Sequence, residues 1–370
     1  MKKIGCVTFH ASHNYGSVLQ AYALQEYVKK NFDYVEYKII NLRLPAQHAM
    51  YDFPKKKTSW KNKILQFLNY KALKTKYLKF EYFINNILNV TKEYSSEEDI
   101  DESFDIYLSG GDQIWNPICK DFSWLYYLDN INNGIKVSYA PSMGPRPVFS
   151  SEQEKHIQSC LSKYAKIGVR EEGTKKEVER ILGEKSRQIA VLPDPALLIT
   201  KDDWEKVLAR QKNIDMKKPF IFFYSLYCSD KTYKYPKTIE KLLNKKIIVT
   251  KYLKHCDYFH YYKNCFDTGP LDFLNYIKNA DLIIATSFHA CVFSAIFHKP
   301  FIALDVENDN RIQGFFEKYH LSGHNLNSKT ATEADIIEKS KLMDFGFFDN
   351  EIIDTRKEAF KWFEEIIKKE

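Results

Sequence analysis

Residues 281–301 read DLIIATSFHACVFSAIFHKPF, and no other stretch restricts the fold as tightly. Leu282, Ile283, Ile284 and Ala285 form a continuous apolar run. Thr286 and Ser287 break it, and a helical pattern begins at once with Phe288, His289, Val292 and Phe293. An unbroken apolar strand feeding straight into a helix is what a parallel sheet covered on both faces requires. In such sheets ligands bind beyond the carboxyl ends of the strands. Ser287 has the chemistry of an N-cap. It puts His289 in the first turn, where backbone N–H groups and the positive end of the helix dipole favour an anion. A titratable imidazole thus stands beside an expected anion site.

The same alternation recurs along the chain. Apolar runs at 4–9, 34–41, 106–109, 136–140 and 166–170 come first, with helical patterns at 17–30 and 152–164. A second set occupies 188–192, 220–226, 246–250, 282–286 and 301–304. Strands alternating with helices indicate parallel βαβ architecture. A chain of 370 residues exceeds one ordinary core and fits two domains of ~150–200 residues. Its hydrophobic content of 44% is ample for both. The expected fold class is α/β, with two doubly wound Rossmann-like domains facing a cleft. The change of domain is placed near Tyr164. Residues 1–164 then form an N-terminal domain with a basic helical insertion at 55–90, and 165–345 form a C-terminal domain. Residues 346–370 end in an amphipathic helix bearing Phe360, Trp362, Phe363, Ile366 and Ile367.

Composition excludes several classes. No window holds 18 or more apolar residues, so no transmembrane helix is expected. The start MKKIGCVTF lacks the apolar run of a signal peptide. The seven cysteines are odd in number and scattered, with no C-x-x-C pair. That argues against a disulfide framework or structural zinc and fits a reducing cytoplasm. The formal net charge of +7 is concentrated, for nine lysines and no acidic residue lie between Lys55 and Phe80. They alternate with Trp60, Ile64, Leu65, Phe67, Leu68, Leu73, Tyr77 and Leu78 at helical spacing, which describes a basic amphipathic hairpin. Two readings stand. It is a solvated helix packing its apolar side on the domain, or segment 55–79 touches anionic lipid head groups or a pyrophosphate-linked acceptor. No nucleic-acid module is visible, so no nucleic-acid partner is expected.

Other loops also follow strands. HASHNYGS at 10–17 opens a helix, and Asn14, Gly16 and Ser17 offer a close backbone approach and a helix end for an anion or sugar oxygen. The segment is neither G-x-G-x-x-G nor a P-loop, and His10 and His13 read as loop histidines. In SGGDQIWN at 109–116, Gly110 and Gly111 allow a sharp turn. Asp112, Gln113 and Asn116 can accept from hydroxyls, and Trp115 offers an apolar face for a sugar ring. The plainer reading is a helix capped by Asp112. Arg170 in VREEG can hold a carboxylate or phosphate bidentately, or pair with Glu171 or Glu172. Arg311 in DNRIQGF is a second such group, or a partner of Asp309. Asp194 in PDP reads as a turn residue. No His/Asp/Glu cluster has metal-ligand spacing, so no metal is expected.

Taken in order, TFHASHNYGSVLQAYALQ, SGGDQIWNP, SYAPSMG, VREEGT, LPDPALLI, GPLDFLNYIKNADLIIATSFHA and NRIQGFFEKYHL resemble the polysaccharide pyruvyltransferases. The resemblance runs from the N-terminus to about Leu321. It implies a GT-B-like pair of domains, with the last helix returning to the first. It further implies a cytoplasmic ketal pyruvyltransferase, placed at the inner face of the membrane if segment 55–79 binds lipid. The donor substrate is phosphoenolpyruvate, with no tightly bound cofactor. The acceptor is a sugar of a capsular or exopolysaccharide precursor, free or lipid-linked.

On this resemblance the C-terminal domain binds phosphoenolpyruvate. Arg170, Ser287, Phe288, His289 and Arg311 would contribute, with Asn14, Gly16 and Ser17 from the first domain. Gly110, Gly111, Asp112, Gln113, Trp115 and Asn116 would bind the acceptor. His289 is the expected general acid or the charged stabiliser of departing phosphate, Arg170 the anion clamp, and Asp112 the group that orients or deprotonates the acceptor hydroxyl. Ala290 and Cys291 depart from the Gly and hydroxyl residue of many relatives, and Ser287 stands where some branches carry Arg. Two other readings remain. One is a GT-B glycosyltransferase using a nucleotide sugar, although no E-x-x-x-x-x-x-E element stands beside Ser287. The other is a non-catalytic glycan-precursor-binding protein, supported only by the altered Ala290-Cys291 pair.

Overall fold

The computed structural model describes residues 1–54, 60–144, 148–183, 188–211, 219–225, 230–250, 263–341 and 344–368. The chain divides into two compact units. Unit 1 comprises Met1–Thr58, Phe80–Ile199 and Ile353–Glu370, and unit 2 comprises Ser59–Lys79 and Thr200–Ile352.

Unit 1 opens with β1 (Lys2–Val7), α1 (Tyr15–Asn31), β2 (Val35–Leu42) and α2 (Pro45–Tyr51). The basic stretch, expected as an insertion of the first domain, folds as α3 (Trp60–Leu68) and α4 (Tyr70–Asn86), but its residues Ser59–Lys79 cluster with unit 2, so the unit boundary falls inside α4. Lys55, Lys56 and Lys57 of that stretch lie outside the described residues. Then come β3 (Val90–Tyr94), β4 (Ile106–Ser109), β5 (Ile135–Ser138), α5 (Ser151–Leu161), β6 (Lys166–Val169), α6 (Glu172–Leu182) and β7 (Ile189–Val191). These seven strands form one sheet in the order β3-β2-β1-β4-β5-β6-β7, and every pairing is parallel. The central strands β1, β4 and β5 are buried over most of their length, as strands inside a parallel sheet are. α1 is buried along nearly its whole length, so it too lacks a polar stripe.

The boundary expected near Tyr164 is corrected here. Val137 pairs with Lys166 and Val169 with Val191, so β6 and β7 extend the first sheet. The first unit therefore runs on to Ile199, and Arg170 belongs to it.

Unit 2 contains α7 (Lys201–Leu208), β8 (Phe220–Tyr224), α8 (Asp230–Leu243), β9 (Lys246–Val249), β10 (Lys263–Asn264) and α9 (Pro270–Asn279). It continues with β11 (Leu282–Ala285), α10 (Phe288–Ile296), β12 (Phe301–Leu304), α11 (Asn310–Lys318), β13 (Asn325–Leu326) and α12 (Glu333–Lys339). The sheet order is β10-β9-β8-β11-β12-β13, again with every pairing parallel. The expected strand at 220–226 stops at Tyr224, and Leu226 lies outside the described residues. Phe222, Phe273, Phe293 and Trp204 are fully buried, with Trp204 edge-on to Phe293 at 5.0 Å between centroids. The final helix, α13 (Gly346–Ile367), starts in unit 2, and its residues from Ile353 onward cluster with unit 1.

Among the described residues no helix is long and apolar enough to cross a membrane. The five described cysteines are all free thiols.

Candidate functional site

In each sheet the strand order reverses at one place, between β1 and β4 in unit 1 and between β8 and β11 in unit 2. A switch of this kind leaves a crevice beyond the carboxyl ends of the two strands, because their following helices go to opposite faces. Asn14, Gly16 and Ser17 follow β1, the 110–116 loop follows β4 and Ser287 to His289 follow β11, whereas Arg170 follows β6 and Arg311 comes after β12.

In unit 1, Asn14 caps α1, and its Oδ1 accepts from the Gly16 amide at 3.0 Å. Ser17, on the first turn, donates to Asp112 Oδ2 at 2.5 Å. Asp112 sits just past β4 with φ of 75°, a left-handed conformation uncommon for a residue with a Cβ. Its Oδ1 accepts from the Gln113 amide at 2.8 Å, which helps hold that turn. Gly111 is needed for packing, since a Cβ there would stand 2.6 Å from Gln20 Oε1 and 2.7 Å from Pro195 Cγ. Gly110 is similarly close against Cys6 and Thr8. Gln113 and Asn116 bond to each other beside Gly144, so their amides form a small polar turn.

Trp115 does not present a sugar platform. It is fully buried and stacks on Tyr127 at 5.1 Å, while its Nε1 donates to Ser109 Oγ and the Tyr126 carbonyl. The three-residue step from Asp112 carries the indole into the core behind the turn.

Arg170 follows β6 and is buried. Its Nε donates to Glu171 Oε2 and its NH1 to Asp194 Oδ2, each at 3.1 Å, and Asp112 Oδ1 lies 4.0 Å from NH1. Burial alone would work against the charge. Glu171, Asp194 and Asp112 outweigh it and hold the guanidinium more firmly protonated than usual. The ion pair with Glu171, the plainer alternative read from sequence, is therefore present. Asp194 is both the cap of a short 3₁₀ turn and a charge partner. This cluster brings Ser17, Asp112 and Arg170 together.

A second cluster at the same sheet edge was not foreseen. His13 Nε2 lies 3.0 Å from Glu81 Oε1, and Arg43 NH1 donates to Glu81 Oε2 at 2.8 Å. The His13 ring stacks on Phe80 and Tyr51. Burial would raise the Glu81 carboxyl, but His13 and Arg43 prevail and hold it down at about 2. Ser12 and Tyr51 both donate to Asp121 Oδ2. His10 lies against Asn41 and is kept largely neutral by burial. The sequence signal was weak, because Glu81 comes from α4, far along the chain from His13.

In unit 2, β11 ends at Ala285 and α10 begins at Phe288, as its sequence demands. Ser287 occupies the N-cap position in extended conformation, but its side chain makes no capping bond. His289 is buried in the first turn, edge-on to Phe288, which packs against Phe315. Thr286 and Ser225 face each other across the switch with their hydroxyl oxygens 3.0 Å apart. Ser225, Thr250 and Thr286 each directly follow a strand, a pattern visible in sequence once the strands are aligned. Arg311 forms a two-bond pair with Asp309, Nε to Oδ1 at 2.9 Å and NH2 to Oδ2 at 2.6 Å, the alternative read for it from sequence. Cys291 is buried, which pushes its thiol well above the ordinary range.

One trio of possible ligand groups is assembled by the fold and not by sequence spacing alone. Asp129, His156 and Cys160 present ligand atoms within 4.8 Å of one another. His156 and Cys160 are one turn apart on α5, and the third group comes from a loop. His156 pairs with Asp129 at 2.8 Å, and burial, helped by the Asp129 carboxylate, pushes the Cys160 thiol up to about 12.

A family model described as polysaccharide pyruvyl transferase matches residues 14–308. No curated protein matches the chain. Solved structures similar to it include UDP-GlcNAc 2-epimerase from Methanocaldococcus jannaschii in complex with UDP-GlcNAc and UDP. That structure is 13% identical, over 96% of this chain and 98% of that one, with a TM-score of 0.53. UDP-N-acetylglucosamine 2-epimerase from Rickettsia bellii is 10% identical, over 98% of each chain, with a TM-score of 0.52. Likeness at this identity speaks for the fold alone, and the fold is GT-B-like.

Proposed function

The chain belongs to the polysaccharide pyruvyl transferase family, and we propose that it carries a pyruvyl group from phosphoenolpyruvate to two hydroxyls of one sugar. That sugar would belong to a capsular or exopolysaccharide precursor, and phosphate would be released. The observation that carries this reading is His289 in the first turn of α10, at the switch point of the second sheet.

The chemistry asks for an anion site, an acid and an acceptor-orienting base. Protonation of the donor's methylene carbon leaves an electrophilic centre at the carbon bearing the phosphate oxygen. A sugar hydroxyl attacks that carbon and gives up its proton. The carbon–oxygen bond to phosphate then breaks with its electron pair on phosphate, and a second hydroxyl bonds to the same carbon and loses its proton to the departing phosphate, which closes the ketal. His289 delivers the first proton or stabilises the departing phosphate. The α10 backbone N–H groups and the hydroxyls of Ser287, Thr286 and Ser225 take the donor's oxygens. Arg311 contributes through its Asp309 pair and not as a free clamp. Asp112, set by Ser17 and by the charge of Arg170, orients the acceptor hydroxyl.

The test combines binding and turnover. Phosphoenolpyruvate should raise the melting temperature, since a ligand of the native state stabilises it by mass action. His289→Ala should lose ~10²–10⁴-fold in phosphate release with acceptor present, and lose less in donor binding. A thermal shift with nucleotide sugars and none with phosphoenolpyruvate would overturn the reading in favour of glycosyl transfer. Near-normal turnover by His289→Ala would remove the imidazole from the mechanism.

A further inference from the structure

The hairpin α3–α4 exposes the face that an ordinary surface helix would bury. Trp60, Ile64, Phe67 and Leu68 are 68%, 50%, 80% and 56% exposed. They stand at i, i+4, i+7 and i+8, so they line one side of α3. Seven of the fourteen exposed large hydrophobic side chains among the described residues fall between Trp60 and Tyr82. Scattered apolar side chains on a surface are ordinary, whereas a contiguous set marks an interaction site.

Charge identifies the partner. Lys55 to Phe80 holds nine lysines and no acid. Lys63, Lys71 and Lys74 are exposed. Two copies of this face would bring like charges together, which opposes self-association. The hairpin is also tied down at its far end, where Lys79 Nζ bonds Asp272 Oδ2 at 2.7 Å and the same oxygen accepts from the Gly269 amide. Trp, Phe and Leu on one side with lysines around them is the composition of a helix that lies in the plane of a bilayer interface.

We propose that α3 and the start of α4 form an interfacial anchor for an anionic lipid bilayer. Phe67, Leu68, Ile64 and Trp60 enter the head-group boundary, and Lys63, Lys71 and Lys74 meet the phosphates. Long lysine stems allow the charge to stay in water while the methylenes cover apolar surface. Each lysine near such a surface strengthens binding about fivefold at low salt, and the gain is screened as salt rises. The surface is independent of the chemistry in either sheet, so it stands or falls apart from pyruvyl transfer.

Vesicle flotation tests it. The parent protein should float with vesicles containing phosphatidylglycerol at low salt, much less at high salt, and poorly with pure phosphatidylcholine. Phe67→Ser with Leu68→Ser should weaken partition about tenfold or more, since two apolar side chains lose their burial. Lys63→Glu with Lys71→Glu and Lys74→Glu should abolish flotation on anionic vesicles. All five positions are exposed, so circular dichroism should show both variants folded. A parent that does not float, or variants that float as well as the parent, would overturn the proposal. So would a parent that dimerises through this face and becomes monomeric in the Phe67→Ser, Leu68→Ser variant.

Discussion

Arg170 carries one positive charge among three carboxylates, Glu171, Asp194 and Asp112, all of them buried. Removing the guanidinium strands negative charge in a poorly hydrated place. Arg170→Ala should therefore cost about 3–5 kcal/mol of stability, read as a large fall in melting temperature. Arg170→Lys should recover part of it, because the charge returns but the two-direction fork does not. An alanine variant as stable as the parent would show that the cluster does not depend on Arg170. Glu81 offers a second test. Its carboxyl falls from the ordinary 4.5 to about 2 in the folded protein, with His13 and Arg43 as the cause. The folded state thus binds this proton less readily than the unfolded chain. The stabilisation is complete above about pH 4.5 and is lost as pH falls toward 2, at most about 3 kcal/mol in all. Glu81→Gln should be less stable than the parent at pH 7, and the gap should close as the pH approaches 2. A gap that does not change with pH in denaturant melts would contradict the assignment. Neither cluster was legible in the sequence as a cluster. Arg170 has an acidic neighbour in the next position, but Asp194 and Asp112 reach it only through sheet pairing, and Glu81 reaches His13 only through α4.

At the scale of elements, local pattern and tertiary demand agree where a strand is buried on both faces. β11, β8 and β12 are continuous apolar runs and were readable as such. The turn into α10 followed from the break at Thr286-Ser287 and fixed the position of His289. β3 was not readable, since as an edge strand it buries only Thr91 and Tyr94 and exposes Lys92 and Glu93 in succession, which gives neither an apolar run nor an alternation. Trp115 shows a different limit. A loop of Gly, Asp, Gln and Asn around an indole has the composition of a sugar site. It folds with the indole inward because Ser109 Oγ and the Tyr126 carbonyl satisfy its N–H. The basic hairpin was legible as amphipathic. Which way its apolar side faces is a tertiary fact, and the exposure of Phe67 is what favours a lipid partner over packing against the domain.

At the scale of the whole molecule, the chain order does not follow the order of the units. The boundary near Tyr164 misplaced β6 and β7 because their short apolar runs look like those of the second sheet, and strand neighbours are set by pairing across the sheet. Unit 1 takes its last segment from the far end of the sequence. There, Phe363 stacks on Tyr139 at 4.9 Å, Phe360 stacks on Phe32, and Arg356 donates to the carbonyls of Leu197 and Ile199. Trp362, Phe363, Ile366 and Ile367 are buried. At about 1.5–3 kcal/mol for each buried side chain, these four contribute up to roughly 6–12 kcal/mol. That is comparable with the whole stability of an ordinary domain. A chain ending at Ile352 should therefore lose hydrogen-exchange protection in β1, β5 and α1, whereas β11 and β12 keep theirs. Unit 1 amides as protected in the shortened chain as in the full one would mean that its sheet closes its own core without this helix.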